Sequence, residues 1–184
     1  MPQHPKLSVL RILWIAMLLA TAMYAGLAFS GIFRPPAEPA ERMMPFVFGV
    51  MAIVLAVVSF ALPRTIHANA ARASTVEIRE EAPPDGFSER YREAMAKRRV
   101  FADPQAALGK AYFAFMTPFV LSIALSEAIA LFGLVLAVLG FEKIIATPFF
   151  VAGALLIAIR FPTHAKITRA FEEAHGASFP SSNV

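Results

Sequence analysis

The sequence predicts an all-α fold, a polytopic membrane protein with four transmembrane helices arranged as two repeated antiparallel hairpins. Of its 184 residues, 58% are hydrophobic and only 16% are charged, whereas about a quarter of the residues in soluble domains are charged. The apolar residues are gathered in four long runs, and about 20 apolar residues in a row cross the hydrocarbon core of a bilayer. The protein is therefore expected in the cell inner (cytoplasmic) membrane.

The first transmembrane hairpin is predicted over residues 1–63. Its first span covers residues 12–33, and its second covers residues 43–62. Pro63 is expected to end the second span, because proline lacks the N–H that a helix interior needs. The connection between the spans is too short for anything but an antiparallel pair.

Small residues recur at helical spacing in the first and third spans. Such residues lie on one helix face and let two helices approach closely in a membrane. We predict that these stripes mediate helix packing and self-association: Ala22, Gly26 and Ser30 in the first span, and Ser122, Ser126, Ala130 and Ala137 in the third.

A basic cytoplasmic segment is predicted over residues 64–110. Ser88 follows a turn signal and can cap an amphipathic helix that runs to Arg99. This helix is expected either to lie on the membrane surface or to dock on the spans of its own chain. The segment holds nine of the 17 basic residues, namely Arg64, Arg72, Arg79, Arg90, Arg92, Lys97, Arg98, Arg99 and Lys110.

The second transmembrane hairpin is predicted over residues 111–162. Asp103 is expected to cap the third helix, with Pro104 at its first position, and Pro118 lies inside that helix. The fourth span, residues 144–161, is short.

Two further features complete the second half of the chain. Lys143 and Arg160, at the two ends of the fourth span, are expected to extend to the two membrane interfaces. A polar C-terminal tail covers residues 163–184, and its last residues are expected to fray.

The distribution of basic residues predicts the orientation. The two short hairpin loops hold only Arg34, Arg42 and Lys143, while the other basic residues lie in the N-terminal, central and C-terminal parts. The positive-inside rule then places both termini and the central segment in the cytoplasm.

Similar motifs at the ends of the second and fourth spans suggest that the hairpins are an internal repeat. Pro45-Phe46 opens the second span and Pro148-Phe149 opens the fourth, and each ends near a Phe and a Pro.

Glu127 is the only charged residue in the apolar run 111–141. An acid inside a bilayer is costly and usually faces protein or a water-filled path, so we predict that Glu127 binds or relays a proton, with Ser126 beside it and Tyr24 nearby on the first span. Two alternatives stay open. Glu127 is a neutral structural residue bonded to Tyr24 or Thr21, or it lines the substrate path of a small transporter or channel.

The segment 125–137, LSEAIALFGLVLA, resembles the carboxylate helix of the proteolipid c subunit of rotary ATP synthases. In that family a Glu among small and apolar residues binds the transported proton or sodium ion, which implies an ion site at Glu127 with Ser126 as its neighbour. A duplicated four-helix form of the proteolipid also exists. The chain departs from the family in its first hairpin, whose spans have only Gly26, Gly31 and Gly49, and in placing the acid on the first helix of its hairpin.

Other chemistry has little support in the sequence. Cysteine is absent, and the four histidines lie too far apart to form a paired metal-binding motif. No base accompanies the serines and threonines of the spans, and there is no glycine-rich phosphate loop. We therefore predict a non-enzymatic subunit of a membrane assembly, without metal or cofactor. Its expected partners are the lipid bilayer and either its own copies or other membrane subunits, not nucleic acid.

Overall fold

Seven elements of secondary structure follow one another in the part of the chain that the computed structural model describes, residues 5–33, 41–81 and 98–180. Five of them are helices and two are short strands. In chain order they are α1 (Pro5–Phe29), α2 (Met44–Ala73), β1 (Ile78–Glu81), β2 (Arg98–Phe101), α3 (Pro104–Val138), α4 (Lys143–Ala158) and α5 (His164–His175).

The chain forms two compact units. The first, which we call the hairpin unit, consists of Met1–Thr65 and Met116–Pro162. The second, the tail unit, consists of Ile66–Phe115 and Thr163–Val184. The central segment and the C-terminal tail, which the sequence presents as two separate polar regions, thus belong to one unit.

Three of the helices are long and apolar enough to cross a membrane, as judged by length and composition: Lys6–Phe29, Met44–Ala73 and Pro104–Val138. Helix α4 is also apolar but has only 16 residues, a length of about 24 Å. The protein is therefore a mostly helical membrane protein.

Helix α2 continues through Pro63 to Ala73, so the prediction that it ends at Leu62 is wrong. A proline inside a helix leaves the carbonyl four residues earlier without its N–H partner, which here is the carbonyl of Ser59. Arg160 donates a hydrogen bond to that oxygen over 3.2 Å. Because the freed carbonyl has another donor, the helix can continue.

Helix α3 begins as predicted. The Asp103 carboxylate accepts hydrogen bonds from the backbone N–H groups of Gln105 and Ala106, over 3.0 and 2.9 Å, and Pro104 is the first helical residue. Pro118 lies inside the helix without ending it.

Helices α3 and α4 pack closely through small residues. Ser122, Ser126 and Ala130 are all buried, as the stripe on α3 predicts. A Cβ atom on Gly153 of α4 would lie 2.9 Å from the Ala130 Cβ and 3.0 Å from the Ser126 carbonyl oxygen. The two backbones can approach this closely only because Gly153 has no side chain.

The stripe on α1 is not buried by the described part of the chain. Ala22, Gly26 and Ser30 are exposed, and nothing lies within 4 Å of a Cβ built on Gly26. Helix α1 instead buries Thr21 and Ala28, which are seven residues apart and share a different face. This stripe is therefore open within the described part of the chain, and its predicted role in self-association stays a prediction.

Pro45 and Pro148 take different positions in their helices. Pro45 directly follows the first residue of α2, whereas Pro148 lies inside α4, which begins at Lys143. The proline-phenylalanine motifs of the suggested repeat thus do not open their helices in the same way.

In the tail unit, β1 and β2 pair as antiparallel strands, with Ile78 opposite Phe101 and Glu81 opposite Arg98. Arg98 and Arg99 are therefore in a strand, and the prediction that a helix reaches Arg99 is wrong at that end. The rest of the predicted amphipathic helix lies outside the described residues. Val100 and Phe101 are both fully buried, although adjacent strand residues point to opposite faces, so both faces of β2 are covered at this end.

The C-terminal tail contains an ordered helix, α5. Thr163 caps its N-terminus by accepting a hydrogen bond from the Lys166 N–H over 3.3 Å, and Gly176 ends it in the left-handed conformation. Ile167 and Phe171 on one face are fully buried. The chain then returns to β2, where Ser178 pairs with Val100. The last residues, which were expected to fray, lie outside the described part from residue 181 onward.

Candidate functional site

Glu127 on α3 contacts Tyr24 on α1. The Tyr24 hydroxyl donates a hydrogen bond to Oε1 of Glu127 over 3.2 Å, and both residues are half-buried. This pair joins the first and third helices of the hairpin unit. Thr21, the other suggested partner of the acid, donates instead to the Met17 carbonyl of its own helix.

Ser126 does not share the environment of Glu127. Successive residues of a helix point about 100° apart, and Ser126 is fully buried against α4, whereas Glu127 is not. The Ser126 hydroxyl donates to the Ser122 carbonyl over 2.8 Å and accepts a hydrogen bond from Arg160. The structure thus brings Tyr24 to Glu127, and it directs Ser126 toward a different group.

That group is the guanidinium of Arg160, which connects three helices. It donates to the Ser59 hydroxyl over 2.7 Å and to the Ser59 carbonyl over 3.2 Å on α2. On α3 it donates to the Ser126 hydroxyl. On α4, the helix that Arg160 follows, it donates to the Leu156 carbonyl over 3.0 Å. Its central carbon lies 4.5 Å from the centre of the Phe60 ring.

The Arg160 side chain therefore turns back along α4. The sequence had instead predicted that it extends outward to a membrane interface. Arg160 is the second residue after the end of α4, and its side chain points back toward the N-terminus of the helix, so the guanidinium donates to Leu156 rather than extending beyond the helix end. There it meets two buried hydroxyls and the carbonyl that Pro63 leaves free. A guanidinium has five N–H donors and no acceptor, so this set of neutral oxygens suits it.

The two charged groups of this region are held by neutral partners. Among the described residues, neither Glu127 nor Arg160 has an oppositely charged group within 4 Å, in contrast to exposed ion pairs such as Arg79–Glu81 and Arg169–Glu173. Arg160 stays charged whatever its surroundings.

Lys143 and Trp14 join α1 to α4 at opposite ends of the pair. Lys143 donates to the Phe29 carbonyl over 2.9 Å, which supplies a donor to the C-terminal end of α1. The Trp14 indole N–H donates to the Ile157 carbonyl over 2.7 Å, and its ring meets Phe161 edge to face at 5.1 Å. These contacts determine the pairing of α1 and α4 within the hairpin unit.

Arg160 and Ser59 are the site residues that the sequence prediction missed. One signal was present in the sequence, because Ser59 stands four residues before Pro63 and its carbonyl must lose its helical partner. The identity of the replacement donor carried no such signal, since Arg160 lies 101 residues away.

The residues of this region match no known metal or family signature. Within the described ranges, no three His, Asp or Glu side chains lie close enough together to hold a metal ion. Comparison of the chain with protein-family models, curated proteins and solved structures finds no match. The Tyr24–Glu127 pair and the Arg160 cluster (Arg160 with Ser59 and Ser126) are therefore interpreted from their own geometry.

Proposed function

We propose that the protein crosses the cytoplasmic membrane four times, as the hairpins α1/α2 and α3/α4, with both termini and the central segment in the cytoplasm. Three helices of sufficient length support this, and so does the position of α4 after a tight turn at Gly140, whose φ is 82°. The short α4 can span a locally thinned bilayer. The basic residues are concentrated in the parts assigned to the cytoplasm.

Labelling of single cysteines tests this topology, because the natural chain has none. Arg42→Cys, Glu142→Cys, Arg79→Cys and Arg169→Cys all alter exposed positions. The test uses right-side-out vesicles, whose outer surface is the non-cytoplasmic side of the membrane. An impermeant maleimide is expected to label Arg42→Cys and Glu142→Cys at once, and Arg79→Cys and Arg169→Cys only after permeabilisation. If α4 does not cross the bilayer, Arg169→Cys and Glu142→Cys will be labelled from the same side.

The proposed role is that of a non-enzymatic subunit of a membrane assembly in which Glu127 binds or relays a proton. The observation that carries it is the hydrogen bond of 3.2 Å between the Tyr24 hydroxyl and Glu127. A tyrosine hydroxyl can donate to a carboxyl in either protonation state, so the acid keeps a partner when its proton leaves or returns. Acids within membrane spans commonly mark ion or proton paths.

Carbodiimide labelling and proton flux test this role. Dicyclohexylcarbodiimide reacts with protonated carboxyls in apolar surroundings, so it is expected to label the wild type at Glu127 and to leave Glu127→Gln unlabelled. Glu127→Gln cannot exchange a proton and is expected to abolish proton flux in vesicles that contain the assembly. Unlabelled wild-type protein together with an active Glu127→Gln variant would contradict the proposal.

Melting in detergent distinguishes this role from a purely structural one. Glutamine has a carbonyl oxygen that can still accept from Tyr24, so Glu127→Gln is expected to melt close to the wild type. Glu127→Leu leaves the Tyr24 hydroxyl without its acceptor and is expected to cost about 1–3 kcal/mol. If Glu127 is purely structural, the same melting pattern is expected, but Glu127→Gln should leave the proton flux unchanged.

The face of α1 that carries Ala22, Gly26 and Ser30 is the proposed contact with other subunits. It is exposed within the chain, and small residues favour close helix association in membranes. Its proposed partner is a second copy of the chain or another membrane subunit. Gly26 offers a direct test, because a side chain added there meets no atom of the same chain.

A further inference from the structure

His175, the last residue of α5, connects that helix to the end of α2. Its Nε2 atom lies 3.0 Å from the carbonyl oxygen of Ser74, the residue that follows α2. Its Nδ1 atom lies 3.0 Å from the carbonyl oxygen of Phe171, one turn earlier in α5. Both contacts lie within the tail unit.

Both contacts can be hydrogen bonds at the same time only when the imidazole ring carries two protons. A carbonyl oxygen only accepts hydrogen bonds, and a neutral imidazole has a single N–H. The neutral ring can therefore bond one of the two carbonyls, while its other nitrogen directs a lone pair at an oxygen. Only the imidazolium, with two N–H groups, donates to both Ser74 and Phe171.

Two helix ends and two aromatic rings surround the His175 imidazole. His175 lies at the C-terminal end of α5, and its partner Ser74 lies at the C-terminal end of α2, and the C-terminus is the negative end of a helix dipole. The ring of Phe171 lies 4.3 Å away, and that of Phe101 lies 5.9 Å away with its plane at 76°. Aromatic faces attract cations.

The charged side chains on the neighbouring elements do not supply a counter-ion. On α5, the Glu172 carboxylate accepts from the Phe179 N–H over 2.8 Å. On α3, Lys110 donates to the carbonyl of Thr75, next to Ser74. The remaining charged residues of the adjacent elements are Arg72 and Glu77 near the end of α2, Arg98 and Arg99 on β2, and Lys166, Arg169 and Glu173 on α5. No carboxylate among the described residues lies within 4 Å of the ring.

We propose that His175 is a proton-operated latch that holds α5 to the end of α2. Histidine gains and loses its proton near neutral pH. With the proton bound, the ring bonds both helices. As the pH rises and the proton leaves, one of the two bonds is lost and α5 is held less firmly, so the attachment of the C-terminal helix follows the pH of the solution around it.

Hydrogen exchange of the full-length protein in lipid nanodiscs tests the latch. Protection of the α5 amides, corrected for the intrinsic effect of pH on exchange, is compared at about pH 6 and about pH 8. We expect protection to fall on the order of 10-fold at the higher pH, the size expected when one charge-assisted hydrogen bond is lost. The ring itself should give two slowly exchanging N–H signals in NMR spectra at the lower pH.

Two variants locate the effect. His175→Gln is expected to abolish the pH dependence of α5 protection. His164→Gln, which alters an exposed histidine at the other end of the same helix, is expected to retain it. Equal wild-type protection at both pH values, or a pH response that survives in His175→Gln, would overturn the proposal. If His175→Gln does not fold, the wild-type exchange and NMR measurements decide the matter alone.

Discussion

Replacement of Arg160 by alanine is expected to destabilise the folded protein by about 3 kcal/mol, because the protein loses hydrogen bonds from a charged donor to buried oxygens, each worth about 1.5–3 kcal/mol. The Ser59 and Ser126 side chains are almost fully buried, with exposures of 1% and 0%, so water cannot readily replace the guanidinium. Arg160→Lys is expected to recover only part of the loss, since one ammonium cannot reach acceptors on α2 and α3 in the same fork geometry. Unfolding in mild detergent measures the difference.

A double-mutant cycle with Pro63 tests the reason for this loss. Pro63→Ala restores the backbone N–H that bonds the Ser59 carbonyl, so that oxygen no longer needs Arg160. The cost of Arg160→Ala is therefore expected to be smaller in the Pro63→Ala background, with a coupling free energy of about 1 kcal/mol. Arg64→Ala, at an exposed neighbouring position, serves as the control and is expected to have little effect. Strictly additive costs of Pro63→Ala and Arg160→Ala would contradict the role of the freed carbonyl.

Gly153→Leu is expected to destabilise the single chain strongly, whereas Gly26→Leu is expected to leave its stability unchanged. At Gly153 even a Cβ atom would lie 3.0 Å from the Ser126 carbonyl oxygen and 3.1 Å from the Ala130 backbone nitrogen, and backbone atoms of a packed helix cannot move aside. Gly153→Leu should therefore force α3 and α4 apart and cost about 3 kcal/mol or more. At Gly26 no atom lies within 4 Å, so Gly26→Leu should leave the melting of the single chain unchanged.

Gly26→Leu is instead expected to change the oligomeric state of the protein. If the exposed stripe on α1 binds other subunits, native mass spectrometry in detergent should find the wild type bound to copies of itself or to a partner. The Gly26→Leu variant should be found as a monomer. Gly49→Leu is the matched control, since this glycine on α2 also has open space around it but lies outside the stripe. A wild type that is strictly monomeric, or an oligomer unchanged by Gly26→Leu, would count against an assembly through this face.

Features that depend on neighbours in the sequence were predicted well. Asp103 and Pro104 start α3 because a cap acts on the N–H groups two and three residues later, and long apolar runs form helices because a bilayer offers no other partner for the backbone. The pairing of Tyr24 with Glu127 was also anticipated, from their similar positions in the first and third spans.

Apart from the contact of Tyr24 with Glu127, which are 103 residues apart, features that depend on distant partners were not predictable. Pro63 was expected to end α2, and it does not, because Arg160 supplies a hydrogen bond to the freed carbonyl. Which face of α1 is buried within the chain was also not predicted: it is the face that contains Thr21 and Ala28, while the small-residue stripe is exposed. The ordered tail helix was also unexpected, because its few apolar residues are stabilised by burial with β2 in the tail unit.

The sequence by itself determined that this is a helical membrane protein with an isolated acid, since composition and apolar run length already exclude a soluble domain. It also determined where α3 begins, because that choice is local. Only the tertiary structure decided which oxygens surround Arg160, which face of α1 remains open, and which two carbonyls meet His175. Each of these depends on groups far apart in the chain, and hydrogen bonding in an apolar environment leaves such groups few alternative partners.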